Sequence, residues 1–94
     1  MTQSGFEQKV NVIEQKLDGV VDSGSDDDLF YASYLQGHFS VVASQLLLTR
    51  DPALSDLHVQ MQTSLDKAFA NNELEENDQE QVNALWQRLF GLIG

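Results

Sequence analysis

Two histidines are the residues in this sequence best suited to chemistry. His38 follows Leu35 on the edge of one apolar helical face, and His58 lies between Leu54 and Met61 on another. If their helices run antiparallel, both sit near mid-helix, and two imidazoles with a carboxylate make a ligand set for a divalent metal. The spacing argues against that. Neither His-x-x-x-His nor the Glu-x-x-His of di-iron bundles occurs. The expected arrangement is two half-buried histidines, each hydrogen-bonded to a neighbour, with no metal and no cofactor. A small metal- or ligand-binding bundle using His38 and His58 is the alternative.

The carboxylates read as helix chemistry. Asp22, Gly24 and Asp26 to Asp28 faintly suggest a calcium loop, but glycine is missing from the sixth position and Ser33 stands at the twelfth, where glutamate is needed. Capping explains these aspartates better. Glu73, Glu75, Glu76, Asp78 and Glu80 form a second acidic run at a turn and helix start, where the helix dipole favours negative charge. A solvated, helix-initiating run is expected, with an acidic docking patch as the other reading. Tyr31, Tyr34 and Trp86 are spaced as core aromatics more than as a ligand pocket. No serine sits in a Gly-x-Ser-x-Gly elbow, and no glycine-rich phosphate loop occurs. The chain is not expected to be an enzyme.

The elements that would position these groups are helices. Phe6, Val10, Ile13, Leu17 and Val20 recur at alternating spacings of four and three, one helical stripe. Gly24 suits a left-handed stop after it. Ser25 and Asp28 form a capping-box pattern for a second helix. Asp51 suits an N-cap and Pro52 a first helical position for a third. Its stripe is Leu54, Leu57, Met61, Leu65, Ala68 and Phe69, and Asn71 and Asn72 suit its end. Val82, Leu85, Trp86, Leu89, Phe90 and Ile93 supply a fourth face, with Glu75 to Asn77 at its start. No segment alternates with period two. The expected fold is all-α: residues 1–94 as a single domain, with helices at about 3–22, 26–48, 52–71 and 76–93. Short turns favour four antiparallel helices in an up-and-down bundle or a similar compact packing.

The second helix differs from the others. At ~100° per residue it carries two apolar faces. Tyr31, Ala32, Leu35, Phe39, Val42, Ala43 and Leu46 share one, and Phe30, Tyr34, Val41 and Leu48 share the other, with Gly37 close beside it. Either both faces serve the chain's own core, or the Phe30–Tyr34–Val41 stripe is an oligomer or partner surface. Gly37 costs roughly 1 kcal/mol relative to alanine in a helix interior, which is easier to understand if something packs closely there.

Composition narrows the partners. Five Lys and Arg face fifteen Asp and Glu, a formal net charge of −10. The bases are scattered singly, so the basic footprint that nucleic acid demands is missing, and anionic membranes are disfavoured. No apolar run is long enough for a membrane helix, and residues 1–5 do not resemble a signal peptide. The chain has no cysteine, which excludes disulfides and thiolate chemistry and favours a cytoplasmic home. Carboxylates spaced like phosphates could mimic DNA, a remote reading.

The stretch Ser25-Asp26-Asp27-Asp28-Leu29-Phe30, followed by Tyr34-Leu35-Gln36-Gly37-His38-Phe39, resembles the YfcL family of small gamma-proteobacterial proteins. So do Glu73-Leu74 before Asp78-Gln79, and Leu85-Trp86 with Leu89-Phe90. The resemblance covers nearly the whole chain and implies a helical, cytoplasmic protein. It carries over no activity and no functional residue. One departure is visible: where similar proteins place a Ser-Pro pair at the start of the last helix, this chain has Glu75-Glu76. The function expected is that of a non-enzymatic acidic helical protein that acts through protein–protein interaction, as a homodimer or with a protein partner.

Overall fold

Phe6, Val10, Ile13 and Leu17 meet the core as the four-and-three spacing requires, and all are buried. They lie on helix α1, Gly5–Ser23, in a computed structural model that describes residues 5–93. The expected start of this helix near residue 3 lies outside the described residues. Helices α2 (Asp26–Leu47), α3 (Leu54–Ala70) and α4 (Glu76–Gly91) complete the fold, and no strand occurs among the described residues.

The helix ends follow local chemistry, with corrections at Gly24, at the start of α3 and at both ends of α4. At the start of α2 the expected box forms: Ser25 Oγ accepts from the Asp28 N–H at 3.2 Å, and Asp28 Oδ2 accepts from the Ser25 N–H at 3.3 Å. Gly24, however, is not left-handed. Its requirement is space, because a Cβ there would lie 2.6 Å from the Val20 carbonyl oxygen and 2.8 Å from Asp28 Cβ. The third helix does not begin at Asp51-Pro52. Asp51 adopts a left-handed φ of 52°, and Ala53 takes the N-cap position, where its N–H donates to Asp56 Oδ2 at 3.2 Å. Asp56 therefore does from inside the helix what Asp51 was expected to do from outside. At the far end Asn72 is left-handed (φ 59°), and the N–H groups of Asn72 and Glu73 bond back to the carbonyls of Phe69 and Ala68. This is the paired closure of a Schellman turn. In α4, Glu75 stands at the N-cap position but its side chain makes no capping bond. The helix ends at Gly91, short of the expected residue 93, while Ile93 still packs into the core.

The core joins all four helices. Trp86, Phe39, Ile13, Leu17, Leu35, Leu57, Met61, Leu65 and Val82 are fully enclosed, each stabilising the fold by about 1.5–3 kcal/mol on area grounds. The packing departs from a regular square bundle. Helix α2 touches α1, α3 and α4 extensively, whereas α4 meets α1 and α3 over shorter stretches. Lys9 Nζ, on α1, donates to the carbonyl of Ile93 at 3.0 Å and draws the end of the chain against α1. Among the described residues no buried side-chain polar atom lacks a hydrogen bond.

Candidate functional site

Three sides of α2 are spoken for by the chain itself. Phe39 lies 6.1 Å from Trp86, centroid to centroid, on the α4 side. Gln36 donates to Asp18 of α1 at 3.3 Å. His38 Nδ1 sits 2.6 Å from Ser64 Oγ of α3. The fourth side is open. Phe30 is 47% exposed, Val41 58% and Leu48 89%, so this face does not serve the core. Other exposed apolar side chains lie off this face: Leu29 and Leu47 about 100° round α2, and Val12, Val59 and Leu92 on other parts of the chain. Gly37 is exposed, with nothing within 4 Å of the Cβ it lacks. The close packing expected at that glycine is therefore not supplied by the chain itself.

Tyr34 is the exception on this face. It is half-buried, and its hydroxyl donates to Glu73 Oε1 at 2.9 Å, pinning mid-α2 to the turn between α3 and α4. Partial burial first, and then the bond to and charge of Glu73, push its pKa up to about 12. One step away Tyr31 donates to Asp78 Oδ1 at 3.0 Å, and its pKa is likewise raised, by desolvation first and then by the bond to Asp78. Two carboxylates of the second acidic run thus hold tyrosine hydroxyls of α2, a role that sequence reading missed because the contacts span 39 and 47 residues.

The histidines do not share a partner. His38 pairs with Ser64, and its ring lies tilted against Tyr34 at 4.9 Å. His58 Nδ1 accepts the indole N–H of Trp86 at 3.3 Å, with its ring flanked by Trp86 and, at 4.7 Å, by Phe90. The described residues contain no group of three His, Asp or Glu placed to hold a metal ion. A cleft of about 470 Å³ lies elsewhere, between α1, α4 and the start of α2. Lys16, Arg88, Tyr31 and Leu85 line it.

A signal for the open face was present in the sequence. From Leu29 to Thr49 the chain contains no Asp, Glu, Lys or Arg, although it carries twenty such residues in all, fifteen acidic and five basic. Phe30, Tyr34, Gly37, Val41, Ser44 and Leu48 moreover recur at spacings of four, three, four, three and four, the seam pattern of two helices lying side by side. Among the described residues no helix is long and apolar enough to cross a membrane.

The family model described as "YfcL protein" matches residues 5–91. A protein of Escherichia coli (strain K12) named "Uncharacterized protein YfcL" is 35% identical over 85 residues, covering 90% of this chain and 89% of that relative. No solved structure matches. The matched span takes in all four helices and the open face of α2, and on that match the chain belongs to the YfcL family.

Proposed function

We propose that this protein acts by association and not by catalysis, pairing with a second copy of itself through the outer face of α2 in the cytoplasm. The observation that carries the reading is the exposure of Phe30, Val41 and Leu48 within a charge-free stretch of a chain of net charge −10. Two such chains repel one another wherever their carboxylates meet. The α2 face is where they can approach without that cost and remove apolar surface from water. Both histidines have structural partners, which favours association over acid–base work. A cysteine-free chain of this size suits a reducing compartment.

The contact is small. The strip from Phe30 to Leu48 is about 27 Å long at the helical rise of about 1.5 Å per residue, and about 10 Å wide. That is well under the ~800 Å² per partner of a standard interface, so the dimer is expected to be weak. Light scattering and sedimentation over rising concentration test it. A dimer that Val41→Asp weakens by about tenfold or more supports the reading, since a charge would be buried in the contact. A chain that stays monomeric at the highest concentration overturns it.

A further inference from the structure

We infer that the pairing is antiparallel and two-fold, in a register that sets Phe30 against Leu48, Tyr34 against Ser44 and Gly37 against Val41 of the second copy. This inference rests on the self-association proposed above and adds its geometry.

The outward seam is palindromic in spacing: four, three, four, three, four reads the same from either end. An antiparallel copy can therefore lay its six seam positions on these six without a gap. The sizes then match. Tyr34 meets the small Ser44, and Val41 meets Gly37, where open space surrounds the missing Cβ. At each end the exposed Phe30 meets Leu48, the most exposed large apolar side chain among the described residues. A parallel copy sets Tyr34 on Tyr34 and Gly37 on Gly37, alternating crowded layers with empty ones. Isologous contacts of this kind close on themselves as dimers.

Charge points the same way. Asp26, Asp27 and Asp28 stand exposed at the N-terminal end of the seam, and Arg50 stands exposed just past its C-terminal end. The antiparallel register brings the Arg50-Asp51 end of each chain, formally neutral, beside the aspartates of the other, and it opposes the two helix dipoles. A parallel register stacks aspartates on aspartates.

The lack of cysteine makes a clean test. Phe30→Cys and Leu48→Cys are made in separate chains, and each alone and their mixture are treated with a short bis-maleimide. In the antiparallel dimer the two thiols of a Phe30→Cys pair lie about 27 Å apart, as do those of a Leu48→Cys pair, beyond the reagent's reach. Cross-linked dimer is expected only in the mixture. Cross-linking of each variant alone overturns the register while leaving self-association standing. No cross-linking in any sample, with light scattering still showing the unaltered chain as a dimer, likewise overturns the register alone. A monomer by light scattering removes both readings. Arg50→Glu leaves the seam intact and is expected to weaken pairing about tenfold at low salt. Unchanged or tighter pairing counts against the register.

Discussion

Trp86 and His58 are bound as donor and acceptor: the indole N–H points at His58 Nδ1 over 3.3 Å, and Trp86 is fully buried. Indole nitrogen only donates, so His58 must present a bare Nδ1 and carry its proton on Nε2. The histidine thereby satisfies the one polar atom of the largest core side chain. His58→Leu is expected to strand that donor and destabilise the fold by about 1–3 kcal/mol. Urea unfolding measures it, and a double-mutant cycle with Trp86→Phe isolates the pair. Equal losses for His58→Leu in both backgrounds show that the bond contributes nothing.

Tyr34 makes stability fall in alkali. In the unfolded chain its phenol ionises near about 10; in the folded chain, half-buried and donating to Glu73, it is held up to about 12. Between those values the unfolded chain has released a proton that the folded chain still holds, so unfolding is favoured as pH rises. Below pH ~10 the contribution is fully present. Tyrosinate absorbance of the folded protein should lose its phase at about pH 12 in Tyr34→Phe and keep the phase of Tyr31, whose pKa is also raised. That variant should cost about 0.5–1 kcal/mol at neutral pH, the low end for a solvent-accessible bond. Loss of stability with unchanged slope between wild type and Tyr34→Phe above pH ~10 rules the Tyr34–Glu73 bond out as the cause.

Gly24 is expected to resist substitution for a reason unrelated to φ. An alanine methyl would sit 2.6 Å from the Val20 carbonyl oxygen and 2.8 Å from Asp28 Cβ. Both neighbours are held, the first by the Gly24 N–H bond to it at 2.8 Å and the second by the Ser25 capping box. Relief must come from backbone movement at the α1–α2 turn. Gly24→Ala is expected to destabilise by about 1–3 kcal/mol, read as a lowered urea midpoint. A neutral effect would mean that the turn opens freely.

How far these features could be read ahead depends on how local their chemistry is. The α1 stripe and the Ser25–Asp28 box involve residues within one or two turns of each other, and both formed as the spacing implies. At the start of α3 two aspartates compete for one role, and spacing alone does not decide between them. Asp56 satisfies the Ala53 N–H from within, which frees Asp51 for the left-handed residue of the α2–α3 reversal. The partners of His58, Tyr31 and Tyr34 lie 28 to 47 residues away, and no local pattern encodes them. The second face of α2 was legible as a stripe. Its openness was not, because that depends on how many helices surround α2 in space.

Gly37 separates the behaviour of the single chain from that of the pair. In the single chain it lies in an exposed helix interior with nothing within 4 Å of a built Cβ. Gly37→Ala should therefore stabilise the dilute protein by about 0.5–1 kcal/mol, the ordinary helix gain, measured by urea unfolding well below the association range. Gly37→Leu should leave the dilute fold intact too, since its side chain enters open space. In the pair the same leucine occupies the gap that Val41 of the second copy needs, and overpacking of about 1–3 kcal/mol corresponds to roughly fivefold to 150-fold weaker association. The opposite signs are the test. If Gly37→Ala destabilises the dilute chain, the outer face of α2 is not open as described. If Gly37→Leu leaves association unchanged, copies of this chain meet through some other surface.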